Sequence, residues 1–485
     1  MKRKNIHTLL LGALFFVGAS LCSSCADDLE IGKQFDESTL DGIYENCAFL
    51  ADGKSNKSIN VVELYTEKYS TLVKMNLTKE TTSSSSAKVL IDESYLATYN
   101  QLHGTDFEMF PGTLVALANN GVLQIADGKT KEMEVEVTIT ADDKLEAEKT
   151  YALPLAVVES SSDITIKDEE SRHCVYLIKD MRKSGDVFKG EDVVKGFLFF
   201  EVNDVNPLNA LSFQLENGKY LWDVVVLFAA NINYDAEAGR PYVKCNPNVQ
   251  YLLDNNETLL QPLRKRGIKV LLGILGNHDV AGVAQLSKQG AKDFARELAQ
   301  YCKAYNLDGV NFDDEYSTEP GPDDLDNPAI TTHGREAAAR LCYETKLVMP
   351  DKLVTVFDYG AMYGETIVDG VDVKNWIDIV VPNYGSAARP IGELTFKECA
   401  GMAIEFNLGI GSLGEYGAQS LIDQDYGWFM GFAPSPNKYE SVFSKLSGVK
   451  TLYGSPLKAP SIFYKKNDPT PYRYPEDLFP HLKYS

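Results

Sequence analysis

The chain is short of positive charge. Its 485 residues hold 47 Lys and Arg against 69 Asp and Glu, a formal net charge of −22. A surface this acidic repels phosphate backbones, which excludes nucleic acid as a partner and leaves neutral polymers such as glycans open. No G-x-x-x-x-G-K-[ST] loop is present to cradle a nucleotide. Beyond residue 25 the cysteines (Cys47, Cys174, Cys245, Cys302, Cys342 and Cys399) stand far apart, with no C-x-x-C pair and no Cys/His group of zinc spacing. Their spacing assigns no disulfide, and lone thiols of this kind are commonly small buried side chains. Nothing in the sequence calls for a metal or an organic cofactor. Apolar material, by contrast, is present in ordinary amount. A hydrophobic fraction of 44% and a charged fraction of 24% allow a sizeable core, and the length suits two or three domains.

The apolar run at 9–21 falls short of the roughly 20 residues that a membrane-spanning helix needs. Preceded by Lys2, Arg3 and Lys4, it reads as an export signal. Ser23 and Ser24 before Cys25 resemble a bacterial lipobox, in which the cysteine becomes the lipidated first residue. Asp27, Asp28 and Glu30 resemble the acidic surface-export tag of some Gram-negative lipoproteins. The expectation is a signal over 1–25 ending at lipidated Cys25. Such a protein is anchored to the outer membrane of a Gram-negative bacterium and displayed at the cell surface. A plain secretory signal is the alternative.

Residues 26–58 are polar and read as a tether and lead-in. From 59 to 182 the pattern is β: VVELY at 61–65, LVKMNL at 72–77 and EMEVEVTIT at 132–140 alternate, and further strands are expected at 151–158 and 173–178. Turn residues at 119–121 and 126–128 separate short strands, which points to a small all-β sandwich. It serves either as a spacer or as a carbohydrate-binding module. The KSGD run at 183–186 suits a linker. From 190 to 485 the rhythm changes. Apolar runs of strand length at 196–202, 224–230, 268–275, 307–312, 353–357, 377–381 and 428–432 alternate with helical stretches such as 291–305 and 335–348. Near-continuous apolar strands between helices mean a parallel sheet covered on both faces. Seven or eight of them over this length fit an α/β fold of the (β/α)8 TIM-barrel type better than an open sheet.

The chemistry concentrates in LDGVNFDDEY at 307–316. On a strand alternate residues face the same way. Val310, Phe312 and Asp314 form one set; Asn311, Asp313 and Glu315 form the other. The apolar members belong against the outer helices, so the polar trio points into the barrel at the C-terminal end of the strand, where barrel enzymes place their sites. Burying charges so close together costs several kcal/mol each unless they are paired, and no basic residue accompanies them on this strand. The bland alternative is a solvated acidic loop starting at Asp313 and continuing through Glu319, Asp323, Asp324 and Asp326. An EF-hand calcium spacing is absent.

The run DGVNFDDE at 308–315 resembles the D-G-x-D-x-D-x-E signature of family 18 glycoside hydrolases. Further blocks, FAANINY at 228–234, GIKVLLGILGNH at 267–278, MPDKL at 349–353 and PNYG at 382–385, resemble the bacterial endo-β-N-acetylglucosaminidases of the H and F types. The resemblance spans roughly residues 190–460. It implies hydrolysis of the GlcNAc-β1,4-GlcNAc core bond of N-linked glycans by a substrate-assisted, retaining mechanism. Glu315 is then the proton donor, Asp313 orients the acetamido group, and Tyr384 matches the tyrosine that bonds the acetamido carbonyl. Tyr384 has the alternative of a core tyrosine. The family usually has Asp where this chain has Asn311, which can bond Asp313 but cannot take its proton. Altered activity is one outcome of that change, and loss of catalysis with binding retained is another.

Weaker candidates lie at expected strand ends. Asn277 and His278 either touch substrate or cap a strand. Trp428 either stacks on a sugar face or fills the core. Glu201 and Asn203 are candidates for the −1 sugar pocket, and Asp358, Tyr359 and Glu415 are of the same kind. The partners implied are N-glycans of glycoproteins, the membrane through the lipid anchor, and glycan-uptake proteins of the same surface. A chitinase is the alternative within enzymes, disfavoured by only 3 Trp residues. A noncatalytic glycan-binding lipoprotein is the alternative outside them.

Overall fold

The computed structural model describes residues 45–475, apart from 82, 126–131, 148 and 162–163. The expected export signal, Cys25 and the acidic tag lie outside the described residues. The N-terminal domain is a sandwich of two sheets. One holds Ala48–Asp52, Lys68–Leu77, Glu132–Thr140 and Val115–Leu117 in that order. The other runs Ile59–Leu64, His173–Asp180, Thr150–Ser160, Ser85–Ile91 and Val122–Ile125. The alternation at 132–140 works as expected: Met133, Val135, Val137 and Ile139 are buried between the sheets, whereas Glu134 and Glu136 face solvent.

Two features of this domain depart from the sequence reading. Strand Ala48–Asp52 lies inside the segment assigned to the lead-in and pairs antiparallel with Lys68–Leu77, so the domain starts before residue 59. At five residues with only one exposed, it shows no alternation to read. Within the stretch read as wholly β, Tyr95–His103 is a helix. It lays Tyr95 and Tyr99 against Ala152, Val175 and Leu177 on the outer face of the second sheet. Strand His173–Asp180 is therefore buried on both faces.

The second domain is a closed barrel of eight parallel strands. We number them β1 (Lys195–Glu201), β2 (Trp222–Asp235), β3 (Lys269–Leu275), β4 (Gly309–Asp313), β5 (Leu353–Asp358), β6 (Ile379–Pro382), β7 (Ala400–Glu405) and β8 (Trp428–Phe432). The ladder runs β6-β5-β4-β3-β2-β1-β8-β7, and a parallel bridge between Val380 and Cys399 closes it. Helices Lys288–Ala304 and Arg335–Val348 stand close to their expected places. β7 was not anticipated, because AGMAIE is short and carries Gly401, which lies under Leu421 and Tyr426. Inside the barrel Phe197, Phe199, Val224, Val226, Leu271, Ile379 and Met430 pack together, while Leu198, Leu272, Val310 and Phe312 join the helix-side core. Burying each such side chain is worth about 1.5–3 kcal/mol.

The sandwich docks on the N-terminal ends of the barrel strands. Lys269, which opens β3, pairs with Glu63 at 2.8 Å. Lys179 Nζ donates to the Asp351 carbonyl just before β5 at 3.0 Å, and Tyr65 stacks on Phe188 at 4.6 Å. The linker is pinned too, with Asp186 paired to Arg266 at 2.8 Å and the Gly185 carbonyl accepting from Lys219 Nζ at 2.8 Å. A cavity of about 660 Å³ remains between the domains, lined by Lys57, Lys179, Lys269, Asp308 and Asp378 among others. Cys47, Cys174, Cys245, Cys302, Cys342 and Cys399 are free thiols, the second and the last three buried.

Candidate active site

β4 is buried along its whole length. Val310 and Phe312 belong to the helix-side core, so Asn311 and Asp313 take the barrel face. Asn311 is fully buried and Asp313 is 3% exposed. The strand ends at Asp313, and Glu315 lies half-buried just past it. Gly276, at the end of β3, lets this turn come close: a Cβ there would fall 2.3 Å from the Glu315 carbonyl oxygen. The His278 N–H then donates to the Tyr316 carbonyl at 2.6 Å. Asp314 fastens the other side. Its Oδ2 accepts the Ala361 N–H at 2.7 Å and lies 2.8 Å from His333 Nε2. The backbone on both sides of Glu315 is thus tied to neighbouring loops.

The electrostatics of these carboxyls are one-sided. Burial holds Asp313 protonated well above the ordinary carboxylate range, and the charges of Glu315 and Asp314 add to the effect. Glu315 is raised too, first by burial and then by Asp314. Tyr384, at the end of β6, is pushed up by burial first, then by Asp313, Glu405 and Glu315. The charges at the ends of β4 and β7 therefore act on the Tyr384 phenol at the end of β6. The Tyr384 ring packs on Phe432 at 5.4 Å and on Phe357 at 5.8 Å. Phe199 and Phe228 continue this aromatic floor, with Phe228 5.5 Å from Phe432. A floor of this kind removes water from the carboxyls and favours their neutral forms. A carboxyl kept neutral can give a proton, and a second carboxyl and a phenol beside it can orient a polar group.

The remaining candidates divide. Asn277 lies at the rim, its Nδ2 donating to Asn233 Oδ1 at 2.8 Å, and Asn233 in turn donates to Asp279 Oδ2 at 2.8 Å. These amides tie the ends of β2 and β3 next to Glu315. Glu201 ends β1 at the same face of the barrel, and its carboxylate accepts from Asn203 Nδ2 at 2.8 Å. Asp358 and Tyr359 follow at the end of β5, where Tyr359 stacks on Phe357 at 6.0 Å. Glu415 is exposed at the first turn of helix Glu415–Asp423. Trp428 is a correction. It opens β8 rather than ending it, so it sits at the floor of the barrel beside the sandwich, under Lys195 Nζ at 5.5 Å. An aromatic side chain at the N-terminal end of a barrel strand cannot reach a sugar at the C-terminal end, and Phe432 is the aromatic that β8 presents there.

Several residues of the site left no usable mark in the sequence. Thr355 on β5 accepts from Asn311 Nδ2 at 2.9 Å inside the barrel, and His333 reaches Asp314 from a loop. Neither stands near the acidic run in sequence. Glu405, buried at the end of β7, was missed with its strand; a lone carboxylate closing an apolar run was the only signal. Among the described residues no group of three or more His, Cys, Asp or Glu is placed to hold a metal ion, and no helix among them is long and apolar enough to cross a membrane.

Known proteins are similar to this chain in both domains. A family model of an N-terminal domain matches residues 42–164. Endo-beta-N-acetylglucosaminidase F1 of Elizabethkingia meningoseptica is 44% identical over 283 residues, covering 56% of this chain and 82% of that protein. An endo-beta-N-acetylglucosaminidase of Flavobacterium sp. (strain SK1022) is 32% identical over 259 residues, covering 53% of this chain and 79% of that protein. The crystal structure of Bacteroides thetaiotamicron EndoBT-3987 with Man5GlcNAc product superposes with a TM-score of 0.86 at 68% identity, covering 89% of this chain and 100% of that one. EndoBT-3987 in complex with Man9GlcNAc2Asn substrate gives a TM-score of 0.80 at 64% identity, with the same coverage of 89% and 100%.

Proposed function

The chain belongs to the endo-β-N-acetylglucosaminidases, and from that premise we propose that it releases high-mannose N-glycans from glycoproteins at the bacterial surface, with Glu315 as proton donor. It is a glycoside hydrolase that cuts the GlcNAc-β1,4-GlcNAc bond of the N-glycan core. The oligomannose class is carried over from the Man5GlcNAc and Man9GlcNAc2Asn bound to the similar EndoBT-3987. The observation that supports the assignment of roles is the pair of raised carboxyls, Asp313 and Glu315, at the C-terminal end of β4 beside Tyr384.

The reaction on this reading needs no enzyme nucleophile, one of the exceptions to the usual two-carboxylate scheme. Glu315, kept protonated by burial and by Asp314, gives its proton to the leaving glycosidic oxygen. The acetamido carbonyl oxygen of the −1 GlcNAc attacks its own anomeric carbon as that bond breaks, forming an oxazolinium ion. Asp313, ionised in the complex, accepts the acetamide N–H and balances the developing positive charge. Tyr384 donates its O–H to the acetamido carbonyl oxygen and holds it in line. Ionised Glu315 then takes a proton from water, which opens the ring with retained configuration. Asn277 and Glu201 border the same opening as substrate contacts.

Anchoring through lipidated Cys25 on the outer membrane completes the reading. It rests on Lys2, Arg3, Lys4, the apolar run at 9–21 and the small residues before Cys25. The sandwich then acts as a spacer at the barrel's far end, and uptake proteins of the same surface receive the released glycan. Mass spectrometry of a high-mannose glycoprotein incubated with the protein lacking residues 1–25, with Glu315→Gln in parallel, tests the activity. Peptide left with one GlcNAc, and none from Glu315→Gln, is the expected result. Glycan binding without cleavage by the unaltered site would overturn the catalytic roles and turn attention to Asn311.

A further inference from the structure

Asn311 on β4 stands opposite Thr355 on β5, and both side chains are fully buried. The amide N–H of Asn311 donates to Thr355 Oγ1 at 2.9 Å. That hydroxyl donates its own proton to the Val310 carbonyl at 3.0 Å. A hydroxyl has one proton to give, so with it committed to Val310 the Thr355 oxygen meets Asn311 only as an acceptor. The amide is held with its nitrogen towards Thr355 and its oxygen turned away. That oxygen, Asn311 Oδ1, has no partner, and neither has Asp313 Oδ1 two residues along the same face of the strand. Two buried oxygens without a donor are each costly, and one proton on Asp313 would serve both. The titratable groups facing Asp313 are Glu315 and Asp314 at its own strand end and Tyr384 from the end of β6. All three are acids, and none favours an ionised Asp313.

We propose that Thr355 is a positioning residue which, by fixing the Asn311 amide oxygen towards Asp313, keeps Asp313 protonated and donating to Asn311 in the substrate-free enzyme. When substrate binds, the acetamide N–H gives the Asp313 carboxylate a donor of its own, and the Asp313 proton leaves to water. Asn311 thus holds the proton in place by accepting it, without taking it. This inference rests on the endoglycosidase reading above.

The test is the pH dependence of kcat/KM on a high-mannose glycopeptide for the wild type, Thr355→Val, Thr355→Ser and Asn311→Asp. Thr355→Val is nearly isosteric but removes the acceptor. The amide is then free to turn and offer its N–H to an ionised Asp313, and the acid limb moves to lower pH by about one pH unit, as expected for one hydrogen bond to a charged group. Thr355→Ser keeps the hydroxyl and the wild-type profile. Asn311→Asp also moves the limb to lower pH, because the new carboxyl can take the proton from Asp313; it gives a reading even if Thr355→Val fails to fold. An unmoved limb in the variants that fold, or an equal shift in Thr355→Ser and Thr355→Val, overturns this inference alone. A wild type that cleaves at no pH overturns the functional reading together with it.

Discussion

Asp308 opens the acidic signature, yet its geometry is structural, and replacing it with Asn separates stability from catalysis. Its carboxylate lies at the N-terminal end of β4, the end that faces the sandwich. It accepts from Arg264 Nε at 2.7 Å, from Arg264 Nη2 at 2.9 Å and from the Val270 N–H at 3.0 Å. The side chains are only 9% and 13% exposed for Arg264 and Asp308, so solvent screens the pair weakly. Asn at 308 can keep the bond from Val270 but cannot answer the guanidinium with a charge. Arg264 would stay buried, and Gln261 Oε1, 3.0 Å from its guanidinium, brings no charge to replace the carboxylate. Removing one member of a buried pair costs about 3–5 kcal/mol, so Asp308→Asn should lose about that much in urea unfolding at pH 7.

The pH dependence supplies a second check on the same variant. Burial alone would raise Asp308, but the charge and hydrogen bonds of Arg264, joined by Lys352 and Lys179, together outweigh it and hold the carboxyl well below its ordinary range. A carboxyl depressed in the folded state adds stability that is fully present above its unfolded pKa of about 3.9. That stability is lost as pH falls through the lower, folded value. The gap between wild type and Asp308→Asn should therefore be full at neutral pH and narrow below about pH 4. Initial rates on a glycopeptide at pH 7 should stay within a few-fold of wild type while the variant remains folded. A thousandfold fall in kcat with an unchanged unfolding midpoint would refute this reasoning and make Asp308 part of the chemistry.

Asp314→Asn removes a negative charge beside Glu315, so Glu315 should ionise at lower pH and the alkaline limb of kcat/KM should move down; an unmoved limb would mean that burial alone sets Glu315. Tyr384→Phe keeps the ring on Phe357 and Phe432 but loses the hydroxyl, and kcat should fall about 10²-fold, as for loss of one oxyanion-type donor, with little change in melting temperature. Trp428→Ala should leave KM for the glycan unchanged and lower stability by about 1–3 kcal/mol, less than for a fully buried tryptophan; a raised KM would return Trp428 to the sugar site.

The acidic run was legible because its chemistry is contiguous. Asn311 and Asp313 alternate with Val310 and Phe312 on β4, so strand period alone sorts them, and Glu315 follows just past the strand's end. Helix Arg335–Val348 could be read for the same reason, since a helix repeats its apolar face within its own length. Elements without a local pattern were lost. Strand Ala48–Asp52 and β7 are too short to show a period, and helix Tyr95–His103 is specified by the sheet it covers more than by its own few apolar residues. Trp428 failed differently. Its strand was found, but an aromatic at one end of a strand looks the same as one at the other until the direction of the barrel is known.

What the sequence determined by itself is whatever repeats or clusters along the chain: two domains, parallel strands with helices between them, and two carboxyls at the C-terminal end of β4. Tertiary structure alone decided which side chains from other strands meet those carboxyls. Thr355 is 44 residues from Asn311 and Tyr384 is 71 from Asp313 by their numbers, yet Thr355 accepts a hydrogen bond from Asn311 and the charge of Asp313 acts on Tyr384. Only closure of the barrel removes the water around them, and with it the ordinary ionisation of Asp313 and Glu315. The direction of a pKa shift depends on burial and on charges brought from distant segments, and neither is a property of local sequence.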